Sequence, residues 1–293
     1  MKKKAHFLVL CCLLSINACR SLDAPQSTQT PTPSQTPTPT EIPSPGPGWM
    51  LVWADEFDLP DGSQLDPEHW DYSIGTGNSG WGNNEWQFYT DRIENAFIED
   101  GKLVIQAIEE QHMGAKYTSA RVNTMAKADF TYGRFEARAK MPNTPGIWPA
   151  IWMMPTFSKY GDWPISGEID IVEMIGRDPA LVHGTIHYGN PKGDQTDSYF
   201  LSTLETFDQN FHIFAIEWEP GEFRWYVDGE MYHKTTQWYT SYPEAPEGAP
   251  FDQPFYWILN VAVGGNWPGY PDESSEFPQR MTVDYVRVYQ KEQ

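Results

Sequence analysis

The chain has 293 residues, with 20 Lys and Arg against 40 Asp and Glu, and a formal charge of −20 at pH 7. That excess of acid excludes nucleic acid and anionic polymers as natural partners, because both would be repelled. The three cysteines, Cys11, Cys12 and Cys19, all precede residue 20, so the rest of the chain has no disulfide framework, no thiol nucleophile and no Cys-based metal site.

Residues 1–19 read as an export signal: Lys2, Lys3 and Lys4, then an apolar run from Phe7 to Ile16. That run falls short of the ~20 apolar residues needed to span a bilayer. Two readings of its end stay open. Ile16-Asn-Ala-Cys19 resembles a bacterial lipobox, which would make Cys19 a lipid-bearing residue, and the other reading is plain secretion. Residues 20–48 are dominated by Pro, Thr, Ser and Gln with almost no large apolar side chains. Such a segment cannot bury a core, and its Pro-Thr-Pro runs favour an extended spacer.

Residues 49–293 show no internal repeat and no second core, and they suffice for one large domain. The runs 102–108, 133–140, 211–218, 222–227 and 281–289 alternate with period two and predict strands. Asp228-Gly229, directly after the fourth run, predicts a hairpin turn. Long amphipathic patterns are missing, and many short strands with frequent turns argue for an all-β sandwich. The 13 Trp, 15 Tyr and 15 Phe exceed what loops need. Trp81, Trp86, Trp148, Trp163 and Trp267 sit beside Gly, Pro or Asn and are expected in loops, where an indole can pack against a sugar ring.

The densest chemistry lies at Glu168, Asp170 and Glu173, which are separated only by Ile169, Ile171 and Val172. Like charges on one strand repel, so retaining them calls for a function. In a regular strand Glu168 and Asp170 share a face and Glu173 points away. A β-bulge near Ile171 or Val172 would restore Glu173 to the same face. Carboxylates paired on one face are the machinery of glycosidic-bond hydrolysis.

The run Glu168-Ile-Asp-Ile-Val-Glu173 resembles the bulged signature of glycoside hydrolase family sixteen, laminarinase-type endo-1,3-β-glucanases in particular. The stretches Trp53-Ala-Asp-Glu-Phe57, Gly80-Trp-Gly-Asn-Asn-Glu-Trp-Gln-Phe-Tyr-Thr90, Tyr117-Thr-Ser-Ala-Arg121, Tyr132-Gly-Arg-Phe-Glu-Ala-Arg138, Trp148-Pro-Ala-Ile-Trp152, His183-Gly-Thr-Ile-His187 and Asp284-Tyr-Val-Arg-Val-Tyr289 carry the same resemblance, in order. It implies a jelly roll whose concave sheet forms the substrate cleft. It further implies retaining hydrolysis, with Glu168 as nucleophile, Glu173 as general acid/base and Asp170 between them, keeping Glu168 ionised. Asn83 and Arg121 match positions that line the glucan cleft. His187 is expected beside the acid/base or at the leaving-group side. The loop from Gly264 to Gly269 is expected to wall the cleft, with Trp267 stacking on sugar beside Trp148 and Trp163.

The resemblance implies no catalytic cofactor. It also implies a structural calcium held by Glu56, the carbonyl of Gly101 and Asp284, away from catalysis. Two histidines four apart, His183 and His187, lack a third ligand by spacing, so a catalytic zinc is not expected. The expected partner is a neutral β-glucan, met by a monomer that touches a membrane only through a lipid on Cys19. Alternatives are a related enzyme acting on mixed-linkage glucan or galactan, and a glucan-binding surface protein without activity.

Overall fold

The computed structural model describes residues 45–202 and 204–292. The expected signal at 1–19 with Cys19, and the spacer from 20 to 44, lie outside the described residues. Two sheets form the expected jelly-roll sandwich, and among the described residues the only helical element is one π-helical turn, Gly80–Asn84.

The outer sheet is ordered Glu230–Thr235, Glu222–Val227, His212–Glu219, Gly133–Lys140, Gln279–Lys291, Leu103–His112, Ala115–Ser119, Gln87–Tyr89. Trp49–Asp55 also pairs with Gln279–Lys291, and Ala96–Ile98 with Leu103–His112. All five predicted runs are strands, and 133–140 and 222–227 have the expected bounds. Asp228 and Gly229 join two strands as a two-residue hairpin, with φ of 50° and 84°. Positive φ at both positions matches the right-handed twist of the strands.

The cleft sheet is ordered Gly193–Phe200, Leu181–Tyr188, Glu168–Glu173, Ile147–Pro155, Phe255–Val263, Arg121–Asn123, Asp71–Tyr72, with Asp129–Phe130 against Phe255–Val263. Its inner face meets the outer sheet through a continuous core that includes Ile169, Ile171, Val172, Phe135, Trp225 and Trp257. This burial is the main favourable term for the fold. It also fixes strand register, because a slip of one residue would turn each apolar side chain to the cleft.

The bulge is present. Against the strand Ile147–Pro155, Ile151 pairs with Val172 and Trp152 with Asp170, which leaves Ile171 as the extra residue. On the other side Asp170 pairs with Thr185 and Glu173 with His183, so Ile171 and Val172 together oppose Gly184. Ile171 and Val172 are both buried, and Glu173 turns to the cleft side with Glu168 and Asp170. Trp225 from the outer sheet donates its indole N–H to the backbone carbonyl of Asp170 at 2.8 Å, beside the bulge. Gly184 leaves the room that this indole occupies: a Cβ there would collide with Trp225 and with the Tyr232 hydroxyl.

Gly184→Ala is therefore expected to destabilise the domain by about 1–3 kcal/mol through overpacking. It should also lower activity, because the indole that braces the bulge must move. Urea melts read the first effect. A wild-type midpoint with wild-type turnover would show that this contact does not support the bulge.

Candidate active site

The cleft has a volume of about 630 Å³ and holds all three acids. Period two places Glu168 opposite His187 and Asp194, Asp170 opposite Thr185 and Thr196, and Glu173 opposite His183 and Ser198. Three polar rows thus cross from the acid-bearing strand to the sheet edge. In the middle row the Thr185 and Thr196 hydroxyls bond at 2.9 Å, and in the third His183 Nδ1 and Ser198 Oγ lie 2.8 Å apart.

Each flanking glutamate is held by a different tryptophan. Trp163 donates its indole N–H to Glu168 Oε2 at 2.7 Å, and Trp148 donates to Glu173 Oε1 at 3.1 Å. Asp170 is 2% exposed, and its Oδ2 has no hydrogen-bond partner. His187 Nε2 stands 3.4 Å from that oxygen and 3.7 Å from Glu168 Oε1. Ionising a carboxyl that is buried this deeply is costly, which disfavours the charged form of Asp170.

The electrostatics agree. Burial, together with the charges of Glu173 and Glu168, pushes Asp170 well above the usual carboxylate range. Burial raises Glu168 to about 7, against the lowering effects of the Trp163 hydrogen bond, Lys192 and Arg121. Glu173 is pushed higher, to about 8, by burial and by the charge of Glu168. Burial depresses His187 to about 4, leaving its imidazole neutral. As pH rises, Glu168 therefore loses its proton before Glu173.

A second polar group lies along the cleft. Glu85 accepts from Gln87 Nε2 at 2.6 Å, Asn83 Nδ2 at 3.2 Å and the Tyr89 hydroxyl at 3.4 Å. Tyr89 also accepts from Asn260 Nδ2 at 3.2 Å, and Asn260 Oδ1 accepts from Trp152 Nε1 at 2.7 Å. The Arg121 guanidinium lies 4.5 Å over the Trp81 ring and 4.7 Å over the Trp152 ring, and its buried Nε has no hydrogen-bond partner.

Asn83, Arg121, Trp148, Trp163, His187 and Trp267 all line the cleft with the three acids. Three expectations need correction. Trp148 lies within a strand, not a loop, because its indole belongs to the cleft face of Ile147–Pro155. Trp86 stacks on Tyr270 at 4.2 Å and does not line the cleft. His187 faces Glu168 and Asp170, while the position opposite Glu173 belongs to His183, whose ring meets Trp267 edge-on at 5.1 Å. The cleft also contains Glu85, Trp152, Asn260, Asp194 and Lys192, which the sequence reading does not single out. Trp148, Ala150, Trp152 and Met154 alternate along one strand and all line the cleft, so period two would have found Trp152.

Two places concern metals. Glu168, Asp170 and His187 present ligand atoms within 4.8 Å of one another. Glu56, Gly101 and Asp284 converge by register, since Asp55 pairs with Val286 and Val283 with Leu103. Both carboxylates there are already engaged. Arg287 binds Glu56 in bidentate fashion at 2.7 and 2.8 Å, and Arg138 holds Asp284 at 2.6 Å. The oxygen donors suit calcium, but an ion would have to displace or share both arginine pairs.

Comparison with known proteins adds four findings. The family described as glycosyl hydrolases family 16 matches residues 78–287. A beta-glucanase of Rhodothermus marinus is 49% identical over 255 residues, 83% of this chain and 86% of the relative. The glucan endo-1,3-beta-glucosidase A1 of Niallia circulans is 41% identical over 84% of this chain, which spans only 38% of that longer relative. Among solved structures, the laminarinase catalytic domain of Thermotoga maritima MSB8 superimposes with a TM-score of 0.75 at 44% identity, covering 84% of this chain and 99% of that domain.

Crowding the acids has a cost that substitution should reveal. A carboxyl raised to about 8 loses stability for the fold as pH climbs from its unfolded value through the folded one. Glu173→Gln keeps the shape and cannot ionise. It should be more stable than wild type at about pH 8, by a few kcal/mol at most, and equal to it at about pH 4. Thermal melts across that range check the sign; a variant less stable at the alkaline end would contradict the burial argument.

Proposed function

Because the chain belongs to glycosyl hydrolases family 16, we infer that its cleft hydrolyses 1,3-β-glucosidic linkages within laminarin-like β-glucans, with retention of configuration. The observation that carries this reading is the bulged strand, which turns Glu168, Asp170 and Glu173 to one cleft face.

The mechanism follows from the order of ionisation. Glu168, held by Trp163, is the carboxylate that attacks the anomeric carbon. Glu173, still protonated when Glu168 is not, donates its proton to the departing glycosidic oxygen as the C–O bond breaks. The product is a glycosyl ester on Glu168. Glu173, now a carboxylate, takes a proton from water; the oxygen attacks the anomeric carbon, the ester bond breaks and both glutamates return to their starting forms. Asp170 sits between the two glutamates, and burial with their charges raises it well above the usual carboxylate range. Pushed toward its protonated form, it eases the crowding of negative charge between the glutamates.

Trp148, Trp163 and Trp267 offer apolar faces to sugar rings, and Asn83, Arg121 and Glu85 offer polar atoms to hydroxyls. No cofactor enters these steps. A calcium between Glu56, Gly101 and Asp284 would tie the first strand to the last without entering the chemistry. Its support is their convergence by register.

Parallel digestion of laminarin, barley mixed-linkage glucan and agarose tests the reading. A ladder of laminari-oligosaccharides and no product from agarose are expected; agarose cleavage would overturn the substrate assignment. Glu168→Gln and Glu173→Gln should each lose 100-fold or more of the laminarin rate, roughly the contribution of one acid–base group. The pH profile of kcat/KM should rise with Glu168 ionisation near 7 and fall with Glu173 deprotonation near 8. Glu173→Gln should lose the alkaline limb on an aryl glucoside with a good leaving group. An unchanged limb would reassign the acid.

Surface attachment is proposed on sequence grounds alone, from the Ile16-Asn-Ala-Cys19 run and the spacer after it. Cys19→Ser should move the protein from the membrane fraction to the medium with activity intact, and an unlipidated wild type in the medium would remove the anchor.

A further inference from the structure

Lys192 lies on the turn between Leu181–Tyr188 and Gly193–Phe200, at the rim of the cleft. With Arg121 it supplies the Lys and Arg side chains among the described residues that line the cleft. Its ammonium stands 5.0 Å from the centre of the Trp163 ring, a cation–π distance. Trp163 is 51% exposed, yet its N–H must stay aimed at Glu168 Oε2. An exposed indole left to itself would sample other rotamers.

The turn itself is clamped from behind. Ser241 donates to the Asn190 carbonyl at 3.1 Å and accepts from the Asn190 N–H. The Tyr239 hydroxyl donates to the Pro191 carbonyl. Gly189 sits at φ +71° with the Tyr239 ring where a Cβ would be. Tyr239 in turn packs edge-on at 5.1 Å against Tyr188 of the core, so the turn is anchored to the body of the sandwich. These contacts hold the turn that puts Lys192 over Trp163.

We propose that Lys192 is a positioning residue for the nucleophile: it pins the Trp163 indole in the orientation that holds Glu168, and it supplies positive charge beside that carboxylate. The inference rests on the reading of Glu168 as nucleophile. The groups facing Glu168 are Asp170 and Glu173 on its own strand, His187 and then Asp194 across the sheet, Arg121, and Lys192. Burial pushes Asp170 toward its protonated form and holds His187 neutral, so Lys192 and Arg121 are the cations that oppose the burial cost of ionising Glu168. Because Lys192 is exposed, water screens its field and the effect is a fraction of what a buried pair would give.

The test titrates Glu168 directly by carboxyl carbon NMR on full-length protein, with the resonance assigned by its loss in Glu168→Gln. Lys192→Met keeps the length and removes the charge. It should raise the Glu168 midpoint by about half a unit or more, and Lys192→Arg should restore it. On laminarin, Lys192→Met should lower kcat several-fold, move the acidic limb of kcat/KM upward by the same amount and change KM little. Trp163→Phe should show a lowered kcat as well, and adding Lys192→Met to it should cost less than Lys192→Met costs alone, because the pinned ring no longer donates to Glu168. An unshifted midpoint overturns the proposal, and so does a raised KM with kcat and limb unchanged, which would make Lys192 a sugar contact only. The NMR arm needs no substrate. If wild type fails to hydrolyse any glucan while Lys192→Met still moves the midpoint, the substrate reading falls and the coupling of Lys192 to Glu168 stands.

Discussion

One extra residue in one strand decides the chemistry of this protein. Without the bulge at Ile171 and Val172, Glu173 would point into a core built from Phe135, Trp225 and Trp257, where an isolated carboxyl could not be tolerated. With it, Glu173 joins Glu168 and Asp170 over the cleft, while both bulge residues stay buried. The bulge is braced across the sandwich by the Trp225 indole on the Asp170 carbonyl, and Gly184 leaves the gap that lets the indole in. A contact between the two sheets thus sets the geometry of a site that lies on the far face of one of them.

The second constraint is electrostatic. Three carboxyls within one strand segment, deep in the cleft, cannot all ionise near neutral pH. The surroundings sort them rather than pairing each with a cation. Asp170, the most buried, is pushed well toward its protonated form. Each glutamate has a tryptophan hydrogen bond and feels Lys192, but Glu168 feels Arg121 as well, whereas Glu173 carries the repulsion of the Glu168 charge, so Glu168 ionises first. Roles of nucleophile and acid follow from that difference in environment between two chemically identical side chains.

Much of this is legible in the sequence, and for definite reasons. The spacing of Glu168, Asp170 and Glu173 conflicts with period two, and only a bulge resolves the conflict, so the spacing alone marks its place. Strands with strong alternation, such as Gly133–Lys140 and Glu222–Val227, are readable because one face of each is core. The strand Gly193–Phe200 is not: it lies at the sheet edge with most of its residues exposed, so no apolar period marks it. Asp194 and Lys192 escape notice with it. The partner of His187 depends on register across two strands, which local spacing cannot give, and the upward push on Asp170 depends on burial, which is a property of the whole sandwich. The arginine pairs on Glu56 and Asp284 are long-range in the same sense, joining residues 231 and 146 positions apart.

The central claim is that the bulge sets Glu168 and Glu173 on one face as nucleophile and acid of a retaining reaction. Trapping the intermediate tests it most directly. A 2-deoxy-2-fluoro laminaribiosyl donor with a good leaving group should inactivate the protein, and peptide mass spectrometry should place one sugar adduct on Glu168. An adduct on Glu173, or turnover that releases the α-anomer first with no adduct at all, would contradict the account.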